Sequence, residues 1–228
     1  MLNVDVIIPA LNEEAALPLV LRDIPRPAVR RVVVADNGST DRTAERALEH
    51  GAELVHEPER GYGAACLRAL AHLADDPPEI VVFLDGDYSD HPNELNALIA
   101  PILAGDADMV VGSRARGVRE RGALSPQQRV GNSIACGALR LLYGVRYSDL
   151  GPFRAIRWQT LQALDMQDRN FGWTVEMQIK AAQRSVPYRE VPVSYRQRIG
   201  VSKVSGTLRG SLGAGVKILW LLGRYAWI

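Results

Sequence analysis

A chain of 228 residues that is 47% hydrophobic and 23% charged can bury a sizeable core, which excludes disorder, collagen-like repeats and an integral membrane bundle. Its two cysteines, Cys66 and Cys136, exclude a disulfide framework and a four-cysteine zinc site. They read as small core residues of a protein in a reducing, cytosolic compartment. The net charge of +1 conceals an asymmetry: residues 1–111 hold 8 Lys/Arg against 20 Asp/Glu, residues 112–157 hold 9 against 2, and residues 189–228 hold 7 against 1. An acidic half beside a basic half suits a metal-dependent site that also holds phosphates, and equally suits two solvated faces.

The N-terminus lacks a basic n-region and reads as the start of a strand, Val4–Pro9, rather than a signal peptide. A short amphipathic helix follows over Glu13–Asp23. Val29–Asp36 is a second strand, which runs through Asn37-Gly38 into a helix capped by Ser39 or Thr40, with Asp41 in its first turn. Ala52–His56 is a third strand and Gly61–Ala74 a helix rich in small residues. Ile80–Leu84 is a fourth strand ending at Asp85-Gly86-Asp87, before a helix from about Asn93 to Ala104 and a fifth strand, Met109–Ser113. This βαβα order predicts an α/β fold, a mostly parallel sheet with helices on both faces.

Beyond Ser113 the pattern changes. Ala115–Pro126, rich in Arg and Gly, reads as an exposed mobile loop. Helices are expected at Gln127–Tyr143, Trp158–Leu164 and Trp173–Arg184, with a strand-like Gly151–Arg157 between the first two. Tyr188–Tyr195 reads as a late strand, Arg196–Ser205 as a basic loop, and Leu208–Trp227 as a closing helix. No repeat or composition break divides the chain, so one domain over 1–228 is expected: an acidic part to 111, a basic part over 112–205, and the tail 206–228. Lys217 and Arg224 interrupt the tail far short of the roughly 20 apolar residues a membrane span requires. With its cations on one side, it suits a helix on an anionic membrane surface or one docked on the domain.

Open α/β sheets bind ligands at the carboxyl ends of their strands. Here those ends carry Glu13-Glu14, Asp36 with Asp41, and Asp85 with Asp87. Carboxylates gathered on one edge repel unless a cation or hydrogen-bond donors compensate them. A divalent ion completed by water and phosphate oxygens is the economical explanation. His91 could approach such an ion or sit on a surface loop. Arg60-Gly61-Tyr62-Gly63 follows the third strand and lacks a third glycine, which fits a helix start close to a nucleotide better than a nicotinamide site.

Taken in order, these strings resemble the family 2 glycosyltransferases, in particular the dolichol-phosphate mannosyltransferase-like branch, over nearly the whole chain. The carriers are Pro9-x-Leu-Asn-Glu13, Asp36-Asn-Gly-Ser-Thr-Asp41, Arg60-Gly-x-Gly-x-Ala65, Asp85-Gly-Asp87, Gly112-Ser-Arg114, Arg129-x-x-x-Ser133, Asp149-x-Gly-Pro-Phe-Arg154, Phe171-x-x-x-x-Glu176, Glu190-Val-Pro192 and Arg198-x-Gly-x-Ser-Lys203. The resemblance implies a GT-A fold, a nucleotide-diphosphate sugar donor, Mg²⁺ or Mn²⁺, inversion at the anomeric carbon and a polyprenyl-phosphate acceptor at the cytoplasmic membrane face. It assigns Pro9, Leu11, Glu13 and Asp36 to the nucleoside pocket, with Arg60 on the donor side. Asp85 and Asp87 correspond to the motif that meets ribose, metal and pyrophosphate. Arg129 and Ser133 match the pair that grips the acceptor phosphate, Arg114 is assigned to substrate, and Arg198 and Lys203 to the loop over the donor phosphates. The sequence departs at Ser89, where the family often has a metal-ligating Gln, and Asp90 stands beside it as a substitute. Leu11 replaces a base-stacking Tyr.

The chemistry agrees with that assignment. A departing nucleoside diphosphate builds negative charge that a divalent ion and cationic side chains stabilise. A phosphate monoester, with its second pKa of about 6, is anionic at neutral pH and needs positioning more than a base. Arginine is suited to hold it. A soluble or protein acceptor, a nucleotide-sugar-binding subunit without catalysis, and a nucleotidyltransferase are the competing readings; no nucleic-acid partner is expected.

Overall fold

The β-branched runs of the first half are buried nearly throughout, and because successive side chains point to opposite faces they build two cores on one sheet. In the computed structural model, which describes residues 3–200, 217, 218 and 220–225, the strands are β1 (Val4–Ala10), β2 (Arg31–Asp36), β3 (Glu53–His56), β4 (Ile80–Phe83), β5 (Met109–Ser113), β6 (Arg154–Arg157) and β7 (Tyr188–Pro192). The helices are α1 (Leu17–Asp23), α2 (Thr43–Glu49), α3 (Tyr62–Leu73), α4 (Leu95–Leu103), α5 (Pro126–Tyr143), α6 (Trp158–Leu164) and α7 (Trp173–Gln183). Strand order is β3-β2-β1-β4-β6-β5-β7. Among the described strands only β6 runs antiparallel, against both β4 and β5. Ile7, Val33, Val81 and Phe83 face a core closed by α3 and α5–α7. Val6, Ile8, Val34 and Val82 face one closed by α1 and α4.

Several boundaries differ from the sequence reading. Helix α1 begins at Leu17 rather than Glu13, after turns at 14–16, and the backbone N–H groups of Glu13 and Glu14 are bonded to Thr43 Oγ1 and Asp41 Oδ2. Helix α2 begins at Thr43, after Ser39 and Thr40 rather than at them. Those two residues instead hold Asn12: Ser39 Oγ accepts from Asn12 N at 2.9 Å, and Thr40 N donates to Asn12 Oδ1 at 2.8 Å. The loops after β1 and β2 are thereby laced together at the sheet's carboxyl edge. The late strand ends at Pro192, and Tyr195 continues as isolated bridges to Asp90 and Arg119.

The segment 115–126 is not a free loop. Glu120 N donates to Tyr195 O, Tyr195 N donates to Val118 O, and Gln197 bonds Glu120 and Arg121. Helix α5 then starts on a reciprocal capping box, Ser125 with Gln128, and stops at Gly144 in the left-handed region (φ 71°).

The closing helix is described over 217, 218 and 220–225, and it docks on the domain. Leu221 and Leu222 are buried in the core, Tyr143 Oη donates to Leu222 O, and Lys217 pairs with Asp168 at 2.8 Å. Among the described residues of the tail, Leu221 and Leu222 thus face the protein itself, while Trp220 is half exposed. No helix among the described residues is long and apolar enough to cross a membrane.

The glycines of the Arg60–Ala65 string serve a close approach to the chain's own backbone. Gly63 N and Ala64 N donate to Asn170 O and Arg169 O, and a Cβ on Gly63 would lie 1.8 Å from Asp168 O. Gly63→Ala must therefore push the 168–170 segment off α3. We expect it to cost about 3 kcal/mol or more, read as a lowered urea midpoint with unchanged slope.

Candidate active site

The loops that leave β1, β4 and β5 border one cleft of about 1190 Å³, closed on the far side by α5 and the 195–198 segment. Pro9, Leu11, Glu13 and Arg60 line one end. Asp85 and Asp87 lie on its floor, and Arg114, Arg129, Ser133 and Arg198 also face it. The charge asymmetry of the sequence thus becomes an acidic floor with a basic wall.

The floor is held from below. Ser89 N and Ser89 Oγ both donate to Asp87 Oδ1, which fixes the carboxylate plane. Arg198 Nη1 lies 2.9 Å from Asp87 Oδ2, and Ile199 N donates to Asp87 O. Arg196 ties the same turn by donating to Tyr88 O and Asp90 O. Tyr62 Oη donates to Asp85 Oδ1 at 3.1 Å. Burial first, and the neighbouring Asp87 charge second, push the Asp85 carboxyl well above the ordinary carboxylate range. Asp90 is buried, neither carboxylate oxygen has a hydrogen-bond partner, and burial and Asp85 push it up as well.

This is an under-compensated anionic cluster, with Arg198 as the cation paired to Asp87. The donor set fits a hard divalent cation on that ground. No group of three or more His, Cys, Asp or Glu able to cage an ion occurs among the described residues. Such an ion would take its remaining positions from water and diphosphate oxygens.

The other assigned residues fall in distinct places. Asp36 is buried away from the cleft lining, accepting from Ser39 N at 3.1 Å and facing His56 Nδ1 at 3.2 Å. Ser89 is fully buried behind Asp87, in the place of a positioning residue. Arg114 faces the cleft, yet its guanidinium forms a two-pronged pair with Asp149, with Nε to Oδ2 at 2.8 Å and Nη2 to Oδ1 at 2.7 Å. Burial would raise the Asp149 carboxyl, but Arg114 holds it below its ordinary value. The Arg114–Asp149 pair is part of the wall. Arg60 Nη2 donates to Gly38 O, bracing the end of the cleft that Pro9 and Leu11 line. His91 does not line the cleft; both cysteines are buried and free, their thiols pushed up by burial. Lys203 lies outside the described residues.

Arg129 and Ser133 sit in the first turns of α5, and Ser133 Oγ donates back to Arg129 O at 3.0 Å. Sequence reading missed three contributors here. Tyr62, an aromatic hydroxyl between two glycines, reaches Asp85. Val130 and Ile134 give the α5 side of the cleft an apolar lining, to which Phe171 and Ile218 also contribute. The signal for the last two lay in the spacing of four along α5, which places Val130 and Ile134 on one helix face.

The model of glycosyl transferase family 2 matches residues 5–176. An uncharacterized glycosyltransferase of Mycobacterium tuberculosis is 41% identical over 211 residues, covering 92% of this chain and 93% of that one. A dolichyl-phosphate hexose transferase of Haloferax volcanii is 33% identical over 202 residues, covering 87% and 85%. Among solved structures, glucosyl-3-phosphoglycerate synthase from Mycobacterium tuberculosis in complex with Mn²⁺ and uridine-diphosphate-glucose superposes with a TM-score of 0.76 at 25% identity, over 100% of this chain and 80% of that one. The expected α/β fold, a mostly parallel sheet with helices, is thus shared with this synthase.

Proposed function

The chain belongs to glycosyl transferase family 2, and from that premise we propose that it transfers a hexose, with inversion, from a nucleotide-diphosphate sugar to a polyprenyl phosphate. The observation that carries the acceptor is the composition of the cleft's far wall. Arg129 and Ser133 stand beside Val130 and Ile134, so one end of the cleft offers phosphate recognition and an apolar path together. The dolichyl-phosphate hexose transferase among its relatives supports the same class.

Pro9, Leu11 and Glu13, with Arg60, border the nucleoside end, and Asp85 faces the diphosphate region with Tyr62 holding its orientation. Asp87, with Asp85 beside it, would hold Mg²⁺ or Mn²⁺, which would neutralise the charge that builds on the leaving diphosphate. Ser89 fixes the Asp87 carboxylate for that task. Arg198, and Lys203 on the same basic loop, are the cations assigned to the donor phosphates. Arg129 holds the acceptor phosphate so that one of its oxygens faces the anomeric carbon. That oxygen forms the new C1–O bond as the bond from C1 to the donor's β-phosphate oxygen breaks. The bonding pair leaves with the nucleoside diphosphate. The acceptor is already anionic at neutral pH, so no proton has to be removed first.

The test is transfer from UDP-glucose and GDP-mannose, with Mn²⁺ or with chelator, to a short polyprenyl phosphate, the matching prenol and 3-phosphoglycerate. Sugar is expected on the polyprenyl phosphate and only with the divalent ion. Preference for 3-phosphoglycerate would favour the reading suggested by the structural likeness to glucosyl-3-phosphoglycerate synthase.

A further inference from the structure

We propose that the outward face of α5 is the surface by which the protein lies on an anionic lipid bilayer. This rests on the reading that the acceptor is a lipid-linked phosphate. The first observation is an apolar stripe that none of the described residues buries: Val130, Ile134 and Leu141 are 59%, 55% and 83% exposed. At about 100° per residue they fall within a sector of about 40° on the helix. The rotation of α5 about its axis is set by its opposite side, where Ala135 and Leu139 are buried.

The second observation is the charge beside the stripe. Arg129, Ser133 and Arg140 form a neighbouring sector of about 40°, separated from the stripe by little more than Gly137. Helix α5 contains no Asp or Glu. No carboxylate among the described residues pairs with Arg129, Arg140 or the nearby exposed Arg146. An apolar row flanked by cations is what an interfacial helix presents, with aliphatic side chains entering the acyl boundary and guanidinium groups at the headgroups. A second copy of the chain is a poorer occupant, because α5 offers no acidic row to meet those arginines.

The third observation is continuity with the cleft. Val130 and Ile134 line it together with Arg129 and Ser133. Two turns further on, Leu141 extends the same stripe outside it. A phosphate held at Arg129 therefore has an apolar path that leads straight onto this face. Leu221 and Leu222 of the closing helix are buried in the core, so these two side chains are not free to enter a bilayer.

The experiment is co-sedimentation of the full chain with vesicles of phosphatidylcholine plus phosphatidylglycerol, and of phosphatidylcholine alone. Binding is expected to the anionic vesicles, weakening as salt is raised. Leu141→Asp should reduce it about tenfold or more, since a leucine leaves the acyl boundary and a carboxylate meets the anionic surface. Leu141 is 83% exposed and does not line the cleft, so its variant should keep the melting temperature of the parent. Transfer to a water-soluble short-chain acceptor should be unchanged, while transfer to long-chain acceptor in vesicles falls. Leu141→Cys carrying a polarity-sensitive dye should shift to the blue on anionic vesicles.

Equal binding to both vesicle types, or a Leu141→Asp variant that binds as the parent does, would overturn the proposal. So would a variant that only turns a dimer into a monomer, which would make the face an interface between copies. Slow labelling of the Leu141→Cys variant by a hydrophilic maleimide without vesicles would mean that other parts of the chain cover this position, with the same consequence. If the parent glycosylates no polyprenyl phosphate, the functional reading fails separately, and vesicle binding still decides the docking face.

Discussion

Asp87→Asn is expected to abolish Mn²⁺-dependent nucleotide binding and to lower turnover about 10³-fold, with the fold intact. Asn keeps the shape of Asp and an oxygen to accept from Ser89 N and Ser89 Oγ, so the turn after β4 retains its bonds. It removes one negative charge from beside Asp85 and the buried Asp90, whose carboxylate has no hydrogen-bond partner among the described residues. The stability cost is correspondingly small. Arg198 loses its partner, but its side chain is 29% exposed and can turn to water. Asp85, pushed up by burial and by Asp87, moves back toward its ordinary range once that neighbouring charge is gone. Calorimetric titration of UDP-glucose and GDP-mannose, with and without Mn²⁺, separates the two effects. The parent should gain affinity from the ion, and the variant should bind equally weakly in both conditions. Unchanged Mn²⁺-dependent turnover in the variant would overturn the assignment.

Much of this site can be read from strand ends. Val4–Ala10, Ile80–Phe83 and Met109–Ser113 are buried, β-branched runs, so the positions of Asp85 and Asp87 at the sheet's carboxyl edge follow from local pattern. The pairs that tune the site are long-range and leave no such trace. Arg114 meets Asp149 across 35 residues, and nothing in the spacing of either says that a cleft-facing arginine is committed to a carboxylate. Ser39 and Thr40 have the chemistry of helix caps, but Asn12 competes for them from 28 residues away. The turn before α1 is likewise tied at long range, with Glu13 N and Glu14 N bonded to side chains of the 41–43 segment. Ser89 illustrates a subtler limit. Spacing places it in the row of a metal ligand, while the turn directs its hydroxyl back onto Asp87. Sequence order brings residues to the edge of the sheet, and only the packed loops decide which of them face the cleft.

Arg129→Ala should lower kcat/KM for polyprenyl phosphate by about 10²- to 10³-fold, equivalent to two charge-assisted hydrogen bonds, and leave donor affinity within about twofold. Both parts follow from what Arg129 touches. It lies on α5, which stands across the cleft from the Asp85–Asp87 floor. Its guanidinium has no carboxylate partner among the described residues, so its removal strands no buried charge. Ser133 Oγ bonds the backbone carbonyl of residue 129, which alanine preserves, and alanine favours the helix. Arg114 is the instructive contrast. Its loss would leave the buried Asp149 uncompensated, so an activity defect there would be mixed with a folding defect of several kcal/mol. A variant at Arg129 reports on recognition alone. Steady-state transfer should show the defect with polyprenyl phosphate as acceptor, while donor titration monitored without acceptor stays near the parental curve. If Arg129→Ala transfers sugar to polyprenyl phosphate as well as the parent does, the acceptor phosphate is not held on α5. If donor affinity falls in step with transfer, the arginine belongs to the diphosphate instead, and the basic wall of the cleft serves the leaving group.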